Sequence, residues 1–213
     1  MISTVILLLI VFTGDMVNSS SEELIPFIKE LERLKAIDGK VSVLGNHDYC
    51  LYKSYTPPDS PQKETEKVIQ LEQSIGWKVL LNEFIQIERE GEKIAIIGVE
   101  NAGGKSFTDK ADLQAAVRGL PKDEFKILLS HDPSHWRREI LKSTNIDLTL
   151  SGHTHAMQFK IGKFSPAKWA YKEWGGIYSE GDRYLVVNTG TGGNVAFRLG
   201  VYPQIIEITL TNS

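Results

Sequence analysis

Asp147-Leu148-Thr149-Leu150-Ser151-Gly152-His153-Thr154-His155 is the stretch on which the reading of this chain turns. A strand-like apolar run ends in Ser-Gly and then delivers two imidazoles one residue apart. The pattern recurs where Val41 to Leu44 runs into Gly45-Asn46-His47-Asp48, and where Phe125 to Leu129 runs into Ser130-His131-Asp132. Histidine is scarce: of five in the chain, His47, His131, His153 and His155 lie in these motifs and His135 just beyond one. Polar ligands gathered at the ends of sheet strands are what a metal site requires.

Working outward, apolar runs at Thr4 to Phe12, Lys93 to Val99, Tyr184 to Val187 and Ile205 to Leu210 read as further strands. Ser20 to Lys35 has helical spacing, with Leu24, Phe27, Ile28, Leu31 and Leu34 on one face behind a Ser-Ser-Glu-Glu start that suits a capped terminus. Gln62 to Ile75, Asp109 to Arg118 and His135 to Lys142 are further helices. Lys78 to Gly98 reads as neighbouring strands joined at Glu90-Gly91, so some pairing is antiparallel. The alternation of strands and helices predicts an α/β fold with a mixed, layered sheet sandwich. Proline-rich Thr56 to Pro61 reads as a surface loop rather than a domain boundary, leaving one domain over residues 1–213.

The bulk numbers fit that reading. In 213 residues, 41% hydrophobic content supports a sizeable core. With 24 basic and 27 acidic residues the net charge is -3, which gives no clear nucleic-acid track. Cys50 is the lone cysteine, which excludes an internal disulfide and a cysteine zinc cage. The apolar start lacks a basic leader and a cleavage site and is shorter than the roughly 20 residues of a bilayer span, so it reads as a buried strand.

Thr13-Gly14-Asp15 places a carboxylate at the end of the first run; it either bridges metals or opens the loop and caps the following helix. In Gly45-Asn46-His47-Asp48, Asn46 offers a hard oxygen and His47 a proton donor beside Asp48. In His153-Thr154-His155, an extended chain points the two rings to opposite sides, so that one motif serves two metals.

Taken in order, Gly14-Asp15, Gly45-Asn46-His47-Asp48, Ser130-His131-Asp132-Pro133 and Gly152-His153-Thr154-His155 resemble the motifs of the calcineurin-like metallophosphoesterases, over about Phe12 to Leu210. The resemblance implies a four-layer α/β/β/α sandwich, two mixed β-sheets flanked by helices. It implies that Asp15 bridges two metals, that Asn46, His131 and His153 complete one site, and that His155 belongs to the other. His47 would protonate the leaving group, with Asp48 orienting it. The implied reaction is hydrolysis of a phosphate ester, with phosphodiesters preferred, by direct attack of metal-bound hydroxide. Manganese, iron or zinc suits these ligands, two ions in a complete member.

One departure is large: members carry an Asp-x-His motif on a strand ahead of Gly-Asp, and no such motif precedes Asp15. Truncation of a longer enzyme is the favoured expectation over natural loss of one site; Asp15, Asn46, His131 and His153 could still hold one ion in such a chain. Ala156-Met157-Gln158 follows Gly-His-Thr-His where members have glycines, narrowing the pocket. His135 and Arg198 are candidate substrate contacts, Arg198 through the glycine-rich turn Asn188 to Gly193. Lys160 to Tyr178 interleaves lysines with aromatic residues, which suits either a loop over the site rim or a peripheral membrane contact. The alternative function is a catalytically impaired phosphoesterase-fold binding or scaffold protein. A nuclease is the weaker rival. The residues set neither localisation nor oligomeric state; some members of this type carry a membrane anchor ahead of the catalytic domain.

Overall fold

Runs of Val, Ile and Leu with few interspersed polar residues are what strands buried on both faces look like, and the central strands here are covered on both sides. The computed structural model describes residues 8–56, 60–89 and 91–211. Three strands, β1 (Ile10–Phe12), β2 (Lys40–Ser42) and β3 (Trp77–Val79), form a parallel sheet in that order. Six more, β4 (Glu83–Arg89), β5 (Glu92–Gly98), β6 (Phe125–Leu129), β7 (Leu148–Ser151), β8 (Gly176–Glu180) and β9 (Arg183–Val187), form a mixed sheet ordered β4-β5-β6-β7-β9-β8. Both end pairs of the larger sheet are antiparallel and its central pairs parallel.

Alternation along each strand divides the core in two. Ile96, Ile127, Leu129, Leu148, Leu150 and Val186 face the small sheet and meet Val41, Val43 and Leu80. Ala95, Ile97, Leu128, Leu185 and Val187 face the other way, against Leu113 and Ala116 of α3 (Leu113–Ala116) and against Trp136 and Ile140 of a π-helical turn, Trp136–Ile140, that runs into α4 (Leu141–Ser143). Outside the small sheet, α2 (Ser60–Ser74) lays Val68 against Val17, Leu24 and Cys50, and Leu31 of α1 (Ile28–Arg33) packs on the same cluster. The result is the four-layer α/β/β/α sandwich with flanking helices.

Several elements differ from the sequence reading. Ser20 to Lys35 is a 3-10 stretch, Ser21–Phe27, followed by α1, because Pro26 removes an N–H inside it. The capped start is present: the Glu23 carboxylate accepts from the backbone N–H groups of Asn18, Ser19 and Ser20. The tighter winding puts the five apolar residues out of phase, so Leu24 is buried while Phe27 is 59% exposed. The third helix covers only Leu113–Ala116 of the expected Asp109 to Arg118, and Asp112 caps it, accepting from Ala115 N at 2.8 Å. Ile205 to Leu210 pairs with no strand among the described residues, and Ile205 is 91% exposed. The first run is a partly buried strand, not a fully buried one. Its residues 4–7, Glu90 of the expected turn and residues 57–59 of the proline-rich loop lie outside the described residues. Strand β8 has no counterpart in the sequence reading, since Gly176-Ile177-Tyr178-Ser179-Glu180 lacks a sustained apolar alternation.

Candidate metal centre

Parallel strands end at one edge of their sheets, so the loops after β1, β2, β6 and β7 come together there. Two of these loops approach so closely that only glycine fits. A Cβ on Gly14, at φ +94°, would stand 2.4 Å from Gly45 N and 2.8 Å from His131 Nδ1. A Cβ on Gly45 would stand 2.2 Å from Asp15 Oδ1. The Asp48 carboxylate ties the two loops: Oδ2 accepts from Asp15 N at 2.7 Å and Gly45 N at 2.8 Å, and Oδ1 accepts from Met16 N at 2.8 Å and Val17 N at 3.2 Å. Asp48 therefore builds the site floor and does not orient His47, which is the correction its completely buried position imposes. The group that orients His47 is the Asn18 carbonyl, which accepts from Nδ1–H at 2.8 Å while the ring packs on Tyr52, leaving Nε2 free.

On this floor three ligating groups converge. Asp15 Oδ2 lies 3.0 Å from His131 Nε2, His153 Nδ1 lies 3.2 Å from the same nitrogen, and the ligand atoms of all three residues fall within 4.8 Å of one another. The tautomer of His131 is fixed from behind: Thr13 O can only accept, so Nδ1 donates to it, at 2.6 Å, and Nε2 faces the cluster. His153 is held likewise, its Nε2 lying 2.6 Å from the Tyr171 hydroxyl. Asn46, in the wall of the cleft that Asp15 and His153 also line, offers a fourth donor. Its Nδ2 donates to Tyr52 OH at 2.8 Å, while its Oδ1 is buried with no hydrogen-bond partner. An orphaned amide oxygen beside a carboxylate and two imidazoles whose nitrogens face each other is a donor set that fits a divalent cation of borderline or hard character.

The His131 proton stands where a cation would bind, and a metal would have to displace it. Burial works against charge on both Asp15 and His131, but their mutual attraction wins, holding the carboxyl down at about 2 and carrying the imidazole up to about 9. Burial, reinforced by the His131 charge, pushes His153 down to about 4, so it is a neutral ligand at pH 7.

His155 stands apart from the three-residue cluster. Its Nδ1 reaches Thr189 O at 3.3 Å, and burial lowers its pKa. The two rings of His153 and His155 diverge, yet not through an extended chain: both residues are left-handed, at φ 69° and 46°, and a turn carries on through Ala156, Met157 and Gln158. Left-handed backbone outside glycine is costly and gathers at functional sites; Asp15, at φ 62°, shares it. Together Asp15, Asn46, His47, His153 and His155 line a cleft of about 280 Å³, closed by Phe107, Met157 and Tyr171. Met157 and Gln158 do enter its wall, and Gln158 pins the far rim by donating to Val195 O and Phe197 O.

Two candidates are not brought to the cleft. His135 is fully buried, with Nδ1 2.9 Å from Ser130 Oγ and Nε2 3.1 Å from Glu139, and it serves the helix behind β6. Arg198 turns onto backbone, donating to the Thr189 and Gly192 carbonyls, so it fastens the turn under His155 and does not line the cleft. Conversely, Tyr52 and the Asn18 carbonyl have positions at the site that no local pattern in the sequence marks, while Tyr171 reaches the cleft from the aromatic segment offered as a rim loop.

Two sheets with a carboxylate, an amide and imidazoles at their strand ends define a metal-dependent hydrolase centre in type. The match to known proteins is with the family described as calcineurin-like phosphoesterase, over residues 7–157. An uncharacterised metallophosphoesterase of Aquifex aeolicus is 28% identical over 95% of this chain and 72% of its own length. YkuE, an uncharacterised metallophosphoesterase of Bacillus subtilis, is 28% identical over 96% of this chain and 68% of its own. A bovine transmembrane protein with metallophosphoesterase domain is 28% identical over 94% of this chain, which spans 45% of it. Among solved structures, the NAD nucleotidase of Haemophilus influenzae aligns at a TM-score of 0.45 and 21% identity, covering 69% of this chain and 29% of that one. The chain belongs to the calcineurin-like phosphoesterases, a family of metal-dependent phosphoesterases.

Proposed function

We propose that this chain hydrolyses phosphodiesters, with Asp15, Asn46, His131 and His153 holding one divalent ion and Asp15 and His155 contributing to a second. Bound divalent ions supply charge neutralisation at the phosphoryl oxygens and a water acidic enough to attack near neutral pH. The observation that carries the reading is the convergence of Asp15, His131 and His153 ligand atoms within 4.8 Å beside the unpartnered Asn46 oxygen. His47 stands on the rim of the same cleft with Nδ1–H spent on the Asn18 carbonyl, which leaves Nε2 to hand a proton to the departing alkoxide. An alkoxide is a poor leaving group, and a positioned proton donor matters most for it, which suits esters of alkyl alcohols, diesters among them. Manganese, iron or zinc fits the nitrogen and oxygen donors.

A second reading, a binding protein on a crippled centre, draws on His155 standing outside the three-residue cluster. Elemental analysis of protein purified without chelator, paired with hydrolysis of bis-p-nitrophenyl phosphate in added manganese, separates the two. Near two ions per chain with turnover that His47→Ala lowers is the expected result. One ion or none, with no turnover at any metal concentration, would sink the enzyme reading for this chain and leave the binding reading standing.

A further inference from the structure

The segment after the metal ligands carries chemistry that hydrolysis does not use. Ile161 and Phe164 face each other across an antiparallel bridge, which puts both side chains on one side of a tight hairpin. The Phe164 ring meets Trp169 edge-on at 5.5 Å, and Lys168 Nζ stands 4.6 Å over the Phe164 ring and 6.0 Å from that of Trp169. This cluster is open to solvent: Ile161 is 64% exposed and Trp169 75%. A tryptophan that exposed has little packing beyond its edge contact with Phe164, and an aromatic and aliphatic patch of this kind marks a contact surface. Lys160, Lys163, Lys168 and Lys172 are all exposed around it. Between Ala156 and Tyr178 Glu173 is the one acidic residue, and it is buried and bonded to Arg137 at 2.5 Å. The surface is thus apolar at its centre and lysine-rich at its edge, with Glu180 as an acidic neighbour of Lys172.

We infer that this hairpin and the turn after it dock on an anionic membrane surface, with Ile161, Phe164 and Trp169 entering the headgroup boundary and the lysines meeting lipid phosphates. Aromatic rings with lysine stems suit that depth, where one end of the side chain is apolar and the other wet. Charge complementarity selects this occupant, since each lysine near an anionic leaflet adds attraction that salt weakens. A single-stranded nucleic acid would use the rings and charges but gain nothing from Ile161. The same segment supplies Tyr171 and Met157 to the cleft, so docking would set the metal site beside the lipid surface.

The test is co-sedimentation of the purified chain with unilamellar vesicles of phosphatidylglycerol and phosphatidylcholine, against vesicles of phosphatidylcholine alone. Binding to the anionic vesicles, weakened by salt and by about thirtyfold or more in Lys163→Glu/Lys168→Glu, is the expected result. Trp169→Ala should weaken it too, whereas Lys29→Glu/Lys35→Glu, outside the segment, should bind more nearly as wild type. Equal partitioning into both vesicle types, no partitioning, or segment variants that bind as wild type would overturn the inference, as would capture of a single-stranded oligonucleotide in place of vesicles. Sedimentation needs no turnover, so vesicle binding by a chain that hydrolyses nothing would count against the catalytic reading and leave this one intact.

Discussion

Glu72→Gln is the substitution whose effect follows most directly from the packing. Glu72 lies on α2 behind β2, 1% exposed, where it accepts from Ser42 Oγ at 2.5 Å while its other oxygen has no partner. Burial first, then the negative charge of Asp48, raises its pKa from 4.5 to about 8. The folded chain therefore keeps a proton that the unfolded chain releases at about pH 4.5. The sign follows from proton counting. The contribution is fully present below the unfolded value, and it is lost as pH rises from there through about 8, because the folded state then binds more protons than the unfolded one. Each pH unit costs up to about 1.4 kcal/mol, so the interval amounts to a few kcal/mol, an appreciable part of a domain's stability. Glutamine retains an oxygen for Ser42 and has no proton to lose. Urea unfolding of wild type and Glu72→Gln at about pH 5 and pH 8 reads the difference: the wild type should lose a few kcal/mol relative to the variant on going to the higher pH. Parallel pH dependences for the two proteins would refute the assignment of a buried, protonated Glu72.

His47→Ala should lower turnover of diesters by about two to four orders of magnitude with metal content unchanged, and the loss should be larger for an alkyl than for a p-nitrophenyl leaving group; metal loss in this variant would instead make His47 a ligand. Tyr171→Phe removes the hydroxyl 2.6 Å from His153 Nε2 and should weaken metal binding by about tenfold or more, read by titration with a competing chelator; unchanged affinity would deny the phenol an orienting role. Asp48→Asn leaves one oxygen for the four N–H groups that bind both carboxylate oxygens now, so metal content and turnover should fall together. A loss of turnover with full metal content would return Asp48 to the role of orienting His47.

Much of this molecule was legible in the chain because its layers impose local patterns. Strands buried on both faces must be apolar throughout, and β5, β6, β7 and β9 announce themselves in that way. Loops that bring ligands to strand ends need glycine where backbones cross, which is why Gly14 and Gly45 stand before Asp15 and Asn46. The order of the motifs by itself identified the family and the loops that gather at the strand ends. The tertiary structure alone decided how the loops are held. Besides Gly45 N, the Asp48 carboxylate binds backbone N–H groups 31 to 33 residues away, and the partner of His153 Nε2 is a tyrosine 18 residues on. Hydrogen-bond partners separated by that much chain leave no periodic trace, so sequence adjacency paired Asp48 with His47 and drew His135 and Arg198 toward substrate. Folding spends those polar groups on backbone carbonyls, a hydroxyl and a neighbouring carboxylate, because a buried donor or acceptor must be satisfied wherever the chain places it. The unpartnered oxygen of Asn46 is an exception, and a divalent ion is the partner proposed for it.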